Sequence, residues 1–152
     1  MSPRFILLHT LAHLLINQLT YECGYSSASL RERLYVSPGP DGIAGRLIYT
    51  AAGDSEGTLG GLVRMGEPGR LEGVLENALA RAAWCSSDPV CIGSKGQGPG
   101  SCNLAACHGC ALLPETAWEE CYRFLVRALV VGGLGKSELS FSSRVTASWW
   151  CA

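Results

Sequence analysis

The chain has 152 residues, of which 47% are hydrophobic and 16% charged, and its formal net charge is −1. This is a globular composition, long enough for one domain with a real core, and it excludes a disordered chain. The near-neutral balance argues against strong autonomous binding to nucleic acid, which needs a basic face, and leaves room only for a weak or accessory contact.

Phe5 to Tyr21 reads as a helix that is apolar almost all the way round, with His9, His13, Asn17 and Thr20 on a narrow stripe and Gly24 as its terminator. His9 and His13 are four apart and therefore stack on one face. The reading favoured here is a core-lining pair hydrogen-bonded to backbone or carboxylates; a second metal site or a proton-transfer pair is the rival. The same segment is too short and too polar to span a bilayer, and no cleavage site makes it an export signal. The cysteines are therefore expected to be reduced, in a cytoplasmic protein.

Ser26 or Ser27 is expected to cap a short helix through Arg33, with Arg31, Glu32 and Arg33 on its exposed side. Tyr35 and Val36 suggest a brief strand before the Pro38–Gly42 turn, and Gly45 to Gly53 reads as a second strand. The segment Asp54-Ser-Glu-Gly-Thr-Leu-Gly-Gly leads into a helix start at Thr58. Its glycines match neither a dinucleotide fingerprint nor a P-loop. Asp54 and Glu56 could bind a metal ion, but capping of the following helix is the preferred reading. Leu71, Val74, Leu75, Ala78, Leu79 and Ala82 mark an amphipathic helix from about Arg70 to Trp84. Pro114 opens a further helix, with Trp118, Cys121, Tyr122, Leu125, Ala128 and Leu129 on its apolar face and Gly132-Gly133 at its end. Residues 133–152 have no clear period and are expected to form a poorly ordered or atypical tail.

Between these two helices lies Cys85-x5-Cys91, a run rich in Gly and Ser, and Cys107-x2-Cys110. Each short pair supplies two thiolates from one tight turn, and the intervening loop can fold back to bring both pairs round one ion. Zinc held by Cys85, Cys91, Cys107 and Cys110 is the leading reading, with Cys102 or His108 able to replace one ligand. Disulfides and buried unligated thiols are the rivals. The order C-H-G-C is not a haem attachment site. Four protein ligands close the tetrahedron, which makes the site structural rather than catalytic. Cys23 and Cys121 read as packed thiols, and Cys151 is not a ligand candidate.

LLHTLAHLLI, ECGYSSASLRERLY, LIYTAAGDSEGTLGGLV, WCSSDPVC and NLAACHGCALLPET together resemble the C-terminal domain of the DrmB proteins of the DISARM anti-phage system. The related domain at the end of MrfA-like DEAD/DEAH-box DNA-repair helicases carries a four-cysteine zinc site. The resemblance spans roughly residues 4–132, taken here as the domain. It implies Cys85, Cys91, Cys107 and Cys110 as the zinc ligands and a role beside a helicase acting on DNA, in restriction or repair. Trp118 stands where relatives often carry a further cysteine after the Pro-Glu-Thr. The remainder of a full DrmB-like protein and any Walker motif are missing from these residues, so the chain is not expected to be a helicase by itself. A detached domain, a gene remnant and a small protein working in trans are the readings left open.

The expected fold is α+β: a small sheet packed by three main helices, with the cysteine loop between two of them. The expected function is a non-enzymatic zinc module that docks onto a helicase partner or DNA, with no membrane and no small-molecule substrate. The alternative is a metal-dependent phosphodiesterase or nuclease using His9, His13, Asp54 and Glu56, which requires the histidines to face the acidic loop across a cleft.

Overall fold

The computed structural model describes residues 1–39, 41–51, 59–113, 120, 122–133 and 141. Helix α1, Pro3–Cys23, is the central element, and α2, α3, α4 and both strands touch it. Its start is fixed by Ser2, whose hydroxyl accepts from the Phe5 N–H at 3.2 Å, and by Pro3 in the first turn. Gly24 ends it in the left-handed conformation with φ 71°, donating its N–H to the Thr20 carbonyl. Between those caps His9 to Ile16 are buried without interruption, as an all-round apolar helix requires.

The sheet is a two-stranded antiparallel hairpin, β1 Leu30–Val36 with β2 Ala44–Thr50, in a register pairing Leu30 with Thr50 and Val36 with Ala44. This corrects the expected helix through Arg33. Ser26 does act as a cap, accepting from Ala28 N at 3.2 Å, but only of a 3-10 turn over Ser27–Ser29. From Leu30 onward the chain is extended because pairing with β2 satisfies its backbone. Leu30, Glu32 and Leu34 alternate inward, while Arg33 and Tyr35 face out.

Helix α2 spans Leu59–Met65, and α3, Leu71–Ala82, buries Val74, Ala78, Leu79 and Ala82 against α1. Of the helix expected from Pro114 to Gly132, the described residues are helical over a much shorter span. Residues 122–126 are not helical, with Tyr122 and Phe124 at φ 62° and 65°, and only α4, Arg127–Val131, is a helix before Gly132. Asn103 is the cause. Its side chain accepts from the Leu125 N–H at 2.9 Å and donates to the Tyr122 carbonyl at 2.7 Å, while Leu104 N–H donates to the Leu125 carbonyl. These bonds take the backbone groups that a helix would have used. The expected helix opening at Pro114 and the Asp54–Glu56 loop lie outside the described residues, as does all but Gly133 and Phe141 of the tail.

The observed class is α+β, with the cysteine cluster seated between α3 and α4. Asn103→Ala leaves the buried Leu125 N–H and the part-buried Tyr122 carbonyl unpaired, at ~1–3 kcal/mol each and less for the second. Chemical denaturation of the variant is expected to give a stability loss of about 2–6 kcal/mol, on the same two-group reckoning.

Candidate metal centre

Two tight turns present the sulfurs. In the first, the Asp88 carboxylate organises the backbone: Cys85 N–H donates to Oδ2 at 3.1 Å and Ile92 N–H to Oδ1 at 2.9 Å. Cys91 N–H then donates to the Ser87 carbonyl at 2.8 Å, closing a turn between the two cysteines. In the second, the N–H groups of Cys110, Ala111 and Leu112 all point at the Cys107 carbonyl. At Gly109 a Cβ would come within 3.2 Å of Ser86 Oγ and into ordinary contact, 3.5 and 3.6 Å, with the sulfurs of Cys85 and Cys107, so little space is left beside the cluster.

The glycine-rich connection between the turns is ordered by an antiparallel bridge. Gln97 N–H donates to the Asn103 carbonyl and Asn103 N–H to that of Gln97, at 2.9 and 3.0 Å. Gly98, at φ 71°, lies against the Asn103 side chain so closely that a Cβ would collide with it. Gly98 is therefore the one glycine of this loop that both its φ and its neighbour demand.

The outcome is a cluster of four sulfur atoms. Cys85 Sγ lies 3.5 Å from Cys107 Sγ, and Cys110 Sγ lies 3.8 Å from both Cys91 and Cys107. These are not disulfides; all four residues are free cysteines. Four sulfurs at about 2.3 Å from a tetrahedral ion stand ~3.8 Å from one another, so the donor set fits such an ion. Backbone and amide N–H groups already point at the sulfurs, Ser87 N–H to Cys85, Cys107 N–H to Cys110, and Gln97 Nε2 to Cys91. Donors of this kind stabilise thiolates rather than thiols.

The electrostatics call for a cation. Burial pushes the Cys110 and Cys91 thiols up, and neighbouring thiolate charge adds to this. At Cys107 burial acts the same way, but the Gly109 N–H and the surrounding thiols outweigh it and bring the thiol below its ordinary range. Arg127 supplies one positive charge from outside the sulfur shell. It is wholly buried, donating from Nε to the Ala105 carbonyl at 3.0 Å, from Nη1 to the Ala82 carbonyl at 2.9 Å, and from Nη2 to Asp88 Oδ1 at 2.6 Å. Burial works against its charge, yet the Asp88 hydrogen bond and the nearby Cys110 and Cys91 raise its pKa.

The comparisons fit this geometry. The family model described as the MrfA Zn-binding domain matches residues 11–111, a span containing all four clustered cysteines. The chain belongs to the MrfA Zn-binding domain family. It is also 42% identical over 127 residues to the DISARM protein DrmB of Bacillus paralicheniformis, a match covering 84% of this chain and 22% of that protein. The chain thus spans about a fifth of that relative's length.

Within this MrfA-type domain, the other sequence candidates fall elsewhere. Cys102 bonds only to the Gly100 carbonyl, at 3.4 Å, and His108 is exposed, so neither joins the four sulfurs. His9 and His13 are fully buried and meet Glu32 of β1, not a cleft. That removes the solvent-facing histidine pair on which the nuclease alternative depends; Asp54 and Glu56 lie outside the described residues. Asp88, Asn103 and Arg127 organise the site and were not singled out from sequence. Their one signal is the placement of polar residues in segments otherwise rich in small or apolar ones.

Proposed function

We propose that the chain is a zinc-stabilised accessory module of a helicase-associated DNA-processing system, of the phage-restriction or repair type. Cys85, Cys91, Cys107 and Cys110 hold one Zn2+, and the domain docks onto the helicase partner of the same system. Convergence of the four sulfurs, in a chain of the MrfA Zn-binding family, is the observation that carries this reading. With four protein ligands the ion has no open position, and its chemistry is to fix the two turns and the helices they join. The likeness to DrmB supports the system, and the six free cysteines among the described residues support a reducing, cytoplasmic setting. Among the described residues no helix is long and apolar enough to cross a membrane.

The outer face of the hairpin is offered as the docking surface. Tyr35, Leu47 and Tyr49 are 50%, 49% and 42% exposed there, beside Arg31 and Arg33. A pull-down with the helicase encoded alongside should capture the intact protein. Leu47→Asp, on the outer face of a folded domain, is expected to weaken capture at least tenfold, and Cys107→Ser to abolish it. Undiminished capture by both variants refutes the docking role. Capture of single-stranded DNA in place of the helicase would redirect the surface to nucleic acid.

A further inference from the structure

A second group of ligand-type side chains lies in the core, away from the cysteines. Helix α1 stacks His9 and His13 on one face, and the alternation of β1 turns Glu32 toward them. His9 Nδ1 is 2.7 Å and His13 Nε2 is 3.6 Å from the same oxygen, Glu32 Oε1. Both histidines are 0% exposed and Glu32 is 4% exposed. The rings cross nearly edge to face, with centroids 4.7 Å apart, and Phe5 stacks on the outer side of His9.

Two observations separate this group from an ordinary buried ion pair. His13 Nδ1 lies 3.1 Å from the Ala111 carbonyl, and a carbonyl only accepts. The Nδ1 atom therefore carries a proton, which leaves Nε2 as the ring atom turned toward the carboxylate. A positive centre, a proton or a metal ion, has to lie between that nitrogen and the carboxylate. Further, both His9 ring nitrogens, His13 Nε2 and both Glu32 oxygens are buried, and among the described residues none has a partner in hydrogen-bond geometry, despite the short separations. One ligand atom of each of His9, His13 and Glu32 lies within 4.8 Å of the others, close enough to share one ion. Buried polar groups left in this state are costly unless an ion or water completes them.

We propose that His9, His13 and Glu32 form a second metal site, taking a divalent first-row transition ion, zinc in first place. Donors at about 2.0–2.1 Å from a tetrahedral ion stand ~3.3–3.4 Å apart, and the observed 2.7 and 3.6 Å bracket that spacing. Two imidazoles and a carboxylate suit borderline ions of the zinc, iron and manganese group. The second Glu32 oxygen, also buried and unpartnered, is available as a fourth donor without recourse to solvent. The His13–Ala111 bond is the outer contact that fixes a metal-binding imidazole in the required tautomer. Ala111 directly follows Cys110, so this contact joins the second site to the end of the cysteine turn. Sealed from water, the ion pins α1 to β1 and has no substrate position.

Metal counting on the full chain tests the proposal. Protein stripped of metal and reconstituted with Zn2+ is expected to bind two equivalents, of which a mercurial thiol reagent releases one. Reconstitution with Co2+ should give one ion with thiolate charge-transfer bands and one without. Glu32→Gln and His13→Gln should each bind one equivalent, fully released by the thiol reagent, with unchanged far-ultraviolet circular dichroism. A wild-type count of one, all thiol-released, overturns the proposal whether or not the variants fold. In that case a proton shared within the histidine–glutamate group, together with the charge of Arg46 on β2, balances Glu32. Retention of two equivalents by both variants also overturns it.

Discussion

Removal of metal from the cysteine cluster, by a chelator or by Cys110→Ser, is expected to abolish the cooperative unfolding transition. Structural zinc contributes on the order of 10 kcal/mol to folding of small modules, comparable with the whole stability of a domain at about 5–15 kcal/mol. The structure gives the reason for so large an effect. Cys85, Cys91 and Cys110 belong to the same buried cluster as Leu14, Val74, Ala82 and Leu125, so the cluster is part of the core rather than an appended clip. Without an ion, four thiol groups would face one another inside the core, and the turns would lose their common centre. Thermal melts followed by circular dichroism should show a sharp transition for the zinc-loaded protein and a broad or absent one for the stripped protein, restored on adding Zn2+. Cys102→Ser is the control and should melt within about 0.5 kcal/mol of wild type, as a partly exposed residue outside the cluster. An apo protein with an unchanged melt would mean that the sulfurs are only packed thiols.

Much of this arrangement was legible before any coordinates because it is local. The extent of α1 follows from the apolar run Phe5 to Tyr21 ended by Gly24, and α3 from a single apolar stripe; both are found to within a turn of their expected bounds. The cysteine pairs were legible for the same reason, since each depends on a turn of a few residues. Glu32 was not. Between Arg31 and Arg33 it has the look of a solvated charge, and only the pairing with β2 turns it inward to meet histidines on α1. The last helix was overextended because periodicity cannot register Asn103, nineteen residues before Tyr122, taking the backbone groups that a helix needs. Likewise the partner of His13 is a carbonyl ninety-eight residues away. Local pattern sets which segments are apolar and where they turn; the partners of buried polar groups are set by the finished packing.

Burial of a charge beside the sulfur cluster leads to the other large expected effect. Asp88→Ala should destabilise the zinc-loaded protein by about 3–5 kcal/mol, the usual cost of breaking a buried ion pair on one side. Arg127 is 0% exposed and the Asp88 side chain 22%, so loss of the carboxylate leaves a buried guanidinium without its counter-charge. The same substitution orphans the Cys85 and Ile92 N–H groups, which hold the first turn in shape. Arg127→Met should cost less, because methionine fills much of the volume and the two carbonyls it abandons are neutral. The double variant should then be more stable than the sum of the single losses predicts, by about 1–3 kcal/mol, since removing Arg127 also removes the unpaired charge created at Asp88. Denaturation of the four proteins at saturating Zn2+ gives this coupling directly. Metal affinity supplies a separate readout: four thiolates round a divalent ion carry net negative charge, and Arg127 interacts electrostatically with both Cys110 and Cys91. Arg127→Met is therefore expected to weaken zinc binding roughly 10–100-fold, the range for loss of an outer contact to a metal site. Additive stability losses with unaltered zinc affinity would mean that Arg127 only joins α4 to α3 and the first turn, with no electrostatic hold on the cluster.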